Sequence, residues 1–239
     1  CFLSTFAFRV RPGAGEKLDC RAPGTKISAW GGLTPMRRFL DALQFLTIIR
    51  LPKGLAGEGF KEGTLAAAAP FFPLVGVLIA VLSFFAAKLA ALIFPWRMSV
   101  LVLMASSVAL SGALHLDGLS DFCDGFFSPR SGRWEILKIM KDSRIGVMGT
   151  LGVVFVILAK YELLVLTAMQ FFLVLFVFAA SRAVQVVFAS LLPYVGDEMG
   201  MGKTFVGKIA PRDVAVACML PLAIGLPLGW RFLAVEIFS

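Results

Sequence analysis

The chain has 239 residues, of which 59% are hydrophobic, and a mean hydropathy of +0.87. Soluble domains are about 45–50% apolar, so these values exclude an ordinary water-soluble globule, and long uncharged runs without alternation exclude a transmembrane barrel. A net charge of +8 would suggest nucleic acid in a soluble protein, but in a membrane protein basic residues collect in cytoplasmic loops, and no nucleic-acid partner is expected. The expected class is an all-α, polytopic integral membrane protein surrounded by lipid. The four cysteines, Cys1, Cys20, Cys123 and Cys218, form no CxxC pair, so neither a zinc site nor a disulfide framework is indicated.

In chain order, residues 1–35 are rich in Gly and Pro and carry no helical period or signal-peptide pattern. Met36 is the first methionine and opens "MRRFLDALQFLTIIRLP". The expectation is a non-native or unstructured extension over residues 1–35, ahead of a membrane-embedded domain over 36–239. Residues 37–51 are amphipathic, flanked by Arg37, Arg38 and Arg50, too short to span and suited to the interface. A first span is expected over residues 65–94, entered through a kink at Pro70 and Pro73, and a second over 98–114 after a turn with Trp96 at the interface. Residues 115–146 read as a polar insert. The run 145–193 holds two helices with a turn near 167–170, residues 194–212 form a second polar loop, and 214–230 is a fifth span. The closing "WRFLAVEIFS" reads as a further helix cut short, so the chain is expected to be truncated at its C-terminus.

Two spans return the chain to its starting side at residue 115, and two more return it at 194. Residues 37–63, 115–146 and 194–212 therefore share a face, which carries Arg37, Arg38, Arg50, Lys138, Lys141, Arg144, Lys203, Lys208 and Arg212. The positive-inside rule makes that face cytoplasmic.

The chemistry concentrates in "HLDGLSDFCDG", residues 115–125. Asp117, Asp121 and Asp124 are spaced i, i+4, i+7, one face of a helix, where like charges repel unless a cation neutralises them. Hard oxygen ligands in this pattern suit Mg²⁺ or Mn²⁺ bridging to phosphates, and Gly118 and Gly125 leave room for close approach. The bland alternative is an acidic, solvated loop end. Lys141, Asp142, Ser143 and Arg144 follow in "IMKDSRIGVMG". Lys and Arg there suit phosphate, and Asp142 is a candidate fourth ligand, although a basic helix stop with Asp142 as its salt-bridge partner explains the same residues. His115, the one histidine, is a candidate base or ligand, or a capping residue. Arg182 lies in an apolar run without an adjacent acid, which favours an inward role facing carboxylates or a phosphate. Lys160 and Glu162, in "LAKYELL", are functional candidates as intramembrane ionisable residues, and mutual pairing or snorkelling explains them equally well. "GMGKTFVGK", with Lys203 and Lys208, resembles a phosphate loop in composition but not in P-loop spacing.

These residues resemble the cobalamin synthase (adenosylcobinamide-GDP ribazoletransferase) family. "FLTIIRLP", "PFFPLVG", "HLDGLSDFCDGFF", "IMKDSRIGVMG" and "GMGKTFVGKI" stand in that family's order and spacing, from residue 36 to about 230. Residues 1–35 match nothing in the family, and its last helices have no counterpart. The resemblance implies transfer between adenosylcobinamide-GDP and α-ribazole or its 5′-phosphate, giving adenosylcobalamin or its 5′-phosphate and GMP, with Mg²⁺ required. It places the chain in a bacterial or archaeal cytoplasmic membrane. The implied metal ligands are Asp117, Asp121, Asp124 and Asp142, with His115 as base. Lys141, Ser143, Arg144, Arg182, Lys203 and Lys208 would bind substrate. "DFCDG" also matches the opening of the CDP-alcohol phosphotransferase motif, but the AR pair and later paired aspartates are missing. A cation transporter would place its acids at mid-membrane on several helices.

Overall fold

The computed structural model describes residues 34–52, 64–129, 132–142, 144–194, 202 and 205–238. The sequence expectations for residues 1–33, Ser143 and Lys203 lie outside these. The described residues are helical, with no strand among them.

Helix α1 (Pro35–Leu46) starts one residue before Met36. Thr34 caps it, its hydroxyl oxygen accepting the Arg37 N–H at 3.3 Å, and Pro35 occupies the first turn, where a missing N–H costs nothing. An ion pair of 3.2 Å joins Arg37 to Asp41. The amphipathic reading holds for its apolar face, since Ala42, Leu43 and Leu46 are buried. That face packs on other helices of the bundle, and Arg38 and Asp41 are buried with it.

The kinked entry to the first span is present. α2 (Thr64–Ala68) passes through a 3₁₀ turn (Ala69–Phe71) into α3 (Phe72–Ala90). Pro70 and Pro73 have no N–H to give the ladder, which breaks the helix there. The stretch Thr64–Ala90 is nonetheless apolar enough to cross as one span. α4 (Trp96–Ser111) is 16 residues long, about 24 Å at 1.5 Å per residue, short of a bilayer core of about 30 Å.

The polar insert is where the expectation is most changed. It is mainly helical: α5 (Leu114–Phe126) and α6 (Arg133–Met140) occupy most of it. α5 is bent 87° from α4 across a two-residue turn. Gly112 caps α4 in the left-handed region at φ +63°, and Ala113 follows at φ +56°. α7 (Val147–Leu166), α8 (Phe171–Leu191) and α9 (Pro211–Phe238) complete the order.

Two apolar clusters mark opposite ends of the bundle. The first joins Leu43 and Leu46 of α1, Phe72 and Val75 of α3, Val186 and Ala189 of α8, and Ala217 of α9. Phe205 and Ile209 plug into it from the second loop, with the Phe205 ring against Phe45 and Phe72. The second joins Ala87 of α3, Val100 and Leu103 of α4, and Val174 and Leu175 of α8, with Tyr161 and Leu164 of α7 against it. α3 thus runs antiparallel to α8, and α9 alongside α3. The end of α4 returns to the first cluster, where the Ile48 N–H donates to the Leu110 carbonyl at 2.9 Å. Four helical stretches are long and apolar enough to cross a membrane, and the bent α4–α5 pair counts as a fifth. This is a multi-pass membrane architecture.

Candidate active site

The aspartates of α5 fall on one helical face as their spacing requires, yet their surroundings differ. Asp117 is exposed, while Asp121 and Asp124 are half-buried. Asp121 feels the negative charge of both neighbours. Asp117 and Asp121 have no hydrogen-bond or ion-pair partner among the described residues. Beside them Gly118 faces open space, so the approach expected there is free.

Asp124 is tied down. Its Oδ2 accepts the Gly146 N–H at 2.7 Å and its Oδ1 accepts the Gly149 N–H at 2.8 Å. Gly146 is the N-cap of α7 and offers no side-chain cap of its own. Ser120 and Cys123, on the same flank of α5, are buried. They lie where side-chain atoms at Gly149 and Gly152 of α7 would otherwise stand. On the far side, Gly125 lets Met140 and Ile136 of α6 close in.

Asp142 and Arg144 form a pair of their own. The Arg144 Nη2 donates to Asp142 Oδ2 at 2.7 Å, its Nε donates to both carboxylate oxygens at 3.1 and 3.2 Å, and its backbone N–H reaches Oδ1 at 3.1 Å. These hydrogen bonds from the Arg144 side chain, and then its backbone, hold the Asp142 carboxyl below its ordinary range. The Arg144 side chain is 86% exposed. Of the two sequence readings of Asp142, the salt-bridge partner is the one seen in this geometry. Lys141 is exposed beside the pair.

A third group was only half visible in the sequence. His115 of α5, Lys160 of α7 and Arg182 of α8 lie within electrostatic reach of one another. Arg182 also donates to the Gln185 side-chain oxygen at 3.3 Å, and its stem passes Gly76 of α3. Lys160 makes no ion pair with Glu162, so the expected mutual pairing is not seen; both are exposed. Lys208 is half-buried in the turn anchored by Phe205, and the Gly207 N–H donates to Ala189 at 2.7 Å. Of the buried charges Arg38, Asp41 and Asp213, Arg38 was read in the sequence only as a basic flank of the amphipathic segment, and Asp41 and Asp213 were not singled out.

Among the described residues no three His, Cys, Asp or Glu side chains converge closely enough to hold a metal ion. Mg²⁺ typically binds one or two carboxylates and takes its remaining ligands from water and substrate phosphates. The unpartnered pair Asp117 and Asp121 fits that mode.

Comparison with known proteins decides between the readings left open by the sequence. The family model described as cobalamin-5-phosphate synthase matches residues 38–238. The chain belongs to the cobalamin-5-phosphate synthase family. Similar proteins that carry the name adenosylcobinamide-GDP ribazoletransferase include the following three. That of Clostridium kluyveri is 35% identical over 173 residues, 72% of this chain and 66% of its own length. That of Geotalea daltonii is 36% identical over 195 residues, 80% of this chain and 75% of the relative. That of Escherichia coli is 39% identical over 194 residues, 74% of this chain and 72% of the relative. The chain thus spans just under two thirds of the Clostridium kluyveri protein. No solved structure matches it.

Proposed function

We propose that this family member is an Mg²⁺-dependent adenosylcobinamide-GDP ribazoletransferase working at the cytoplasmic face of a bacterial membrane. The observation that carries the site is the pair of unpartnered carboxylates, Asp117 and Asp121, beside the open flank of Gly118. The hydroxyl of α-ribazole, or of its 5′-phosphate, attacks the phosphorus attached to cobinamide. The bond to the GMP oxygen breaks, and adenosylcobalamin, or its 5′-phosphate, and GMP leave. Such a transfer depends mainly on alignment and charge neutralisation. A bound Mg²⁺, held by Asp117 and Asp121, would supply part of that neutralisation.

The chain's own residues do the rest. Arg182 and Lys160, carried by two spans beside His115, present positive charge toward the diphosphate. Lys141 and Arg144 do so from the segment before α7, where the Ser143 hydroxyl adds a neutral hydrogen-bond donor, and Lys203 and Lys208 do so from the second loop. His115 accepts the hydroxyl proton. The cytoplasmic placement rests on the basic residues that gather in the loops at one end of the bundle.

The deciding assay supplies the protein in membranes with adenosylcobinamide-GDP, α-ribazole and Mg²⁺. GMP release that depends on α-ribazole is expected, with Asp121→Asn lowering turnover by about two orders of magnitude or more, because an amide cannot replace the charge a hard cation requires. Release of GMP at an equal rate without Mg²⁺, or from Asp121→Asn, would remove the metal reading.

A further inference from the structure

Asp124 stands apart from the other two aspartates of α5 in what its oxygens already do. The first N–H groups of a helix have no intrahelical acceptor and must find one elsewhere. In a capping box this is done by two local side chains, that of the N-cap residue accepting from the N–H of the third helical residue and that of the third residue reaching back to the N-cap N–H. α7 has neither, because its N-cap is Gly146 and its third residue is Gly149. The single carboxylate of Asp124, from another helix, takes both positions at 2.7 and 2.8 Å. A carboxylate there also meets the positive end of the helix dipole.

The fit is reciprocal. A side-chain carbon at Gly146 would overlap the Asp124 carboxylate, and one at Gly149 would overlap both that carboxylate and the Ser120 hydroxyl. At Gly152 it would strike the Cys123 sulfur. Three glycines at successive turns of α7 thus accept Ser120, Cys123 and Asp124 of α5. This leaves Asp117 and Asp121, further round the same helix, without a partner among the described residues.

We infer that Asp124 is a positioning residue and not a metal ligand: it docks the acidic helix onto the N-terminus of α7 and thereby fixes where Asp117 and Asp121 stand. This rests on the metal reading of the site, and it divides the three aspartates into two that hold the cation and one that holds the helix.

Cys123 reports the docking directly, being 7% exposed in the α5–α7 contact. The test uses the full chain in lipid nanodiscs, with Cys1, Cys20 and Cys218 changed to serine. Two quantities are measured: the rate at which a maleimide modifies Cys123, and Mn²⁺ affinity by electron paramagnetic resonance. Asp124→Asn keeps one acceptor but turns a donor toward the second N–H. Loss of one charge-assisted hydrogen bond should speed Cys123 labelling roughly tenfold to a hundredfold, since labelling follows the population of the undocked form. Mn²⁺ affinity should survive in that variant. Asp117→Asn and Asp121→Asn should do the reverse, losing Mn²⁺ with Cys123 still protected. Gly149→Ala, which leaves every aspartate in place, should expose Cys123 as Asp124→Asn does. The inference is overturned if Asp124→Asn abolishes Mn²⁺ binding while Cys123 stays protected. It is equally overturned if Cys123 stays protected in both Asp124→Asn and Gly149→Ala. Absence of Mn²⁺ binding in the unsubstituted protein would instead refute the metal reading, and the labelling rates would still decide the docking.

Discussion

Asp142 and Arg144 are separated by one residue and bind each other at the protein surface, a short loop ahead of α7. Two roles compete for Arg144, and lysine distinguishes them. Exposed ion pairs contribute little to stability, so Arg144→Lys should leave the melting temperature at neutral pH almost unchanged. If the guanidinium works on the diphosphate, GMP release should fall, chiefly in kcat, because an ammonium cannot reproduce the planar fork. The pH dependence of the pair has a definite sign. The Asp142 carboxyl is depressed below its ordinary value, so what the pair contributes is present above the ordinary carboxylate range and is lost as pH falls through the depressed value. The difference in melting temperature between the parent and Arg144→Ala should therefore close in acid; a difference that widens there would contradict the assignment. At this scale the sequence was informative about residue types and silent about partners. Three aspartates at helical spacing were legible as one face. That Asp124 alone is consumed by backbone donors was not, because those donors are 22 and 25 residues away. The signal was present in Gly146, Gly149 and Gly152, whose three-residue spacing puts them on one side of α7.

The helices themselves were largely legible, since apolar runs of span length leave few alternatives. The two prolines foretold the break before α3. What hydropathy could not give was the right angle between α4 and α5. It depends on Gly112 and Ala113 both adopting left-handed backbone, and nothing marks Ala113 for that conformation. Left-handed geometry costs an L-residue roughly 1–2 kcal/mol, so contacts around the turn must offset the cost at Ala113. Gly112 meets a second constraint, because a side chain there would press on the Ile48 methyl. Gly112→Ala should therefore destabilise the protein by about 1 kcal/mol or more, seen as a lower melting temperature in detergent. An unaltered melting temperature would show that the turn can relax at no cost and that the bend is not fixed by this residue. The grouping of His115 with the cations Lys160 and Arg182 was equally hard to anticipate. Its members come from three helices, and sequence proximity suggested Glu162 as the partner of Lys160 instead.

For the molecule as a whole, the two-ended bundle makes a topological claim that labelling can test. Ser128 follows α5 and Leu92 follows α3. The first cluster gathers the starts of α3 and α9 and the ends of α4 and α8, whereas Leu92 lies beyond the opposite end of α3. With the native cysteines removed, Ser128→Cys should react with an impermeant thiol reagent only in inverted vesicles, and Leu92→Cys only in intact cells. Reaction of both from one side would refute a single crossing by α3. The basic bias of the sequence already suggested which end faces the cytoplasm, but only because the helix count made the relevant loops coincide. Packing adds what charge counting cannot: Phe205 and Ile209 are inserted between helices, so the second loop is fastened to the bundle at that end.

The contact between Asp124 and α7 also sets an order of events during synthesis. Gly149 follows Asp124 by 25 residues, so at translation rates of about 5–20 residues per second the acidic helix emerges roughly one to five seconds before its dock exists. Throughout that interval three carboxylates must be kept at the membrane surface without the α7 donors, and a helix bent away from α4 is free to wait there. The nascent chain passes from a solvated α5 to a seated one only when the first turn of α7 forms. Ribosome-bound chains halted when Cys123 has left the ribosome but Gly146 has not should therefore leave Cys123 open to reagent, and chains extended until α7 is clear of the ribosome should close it.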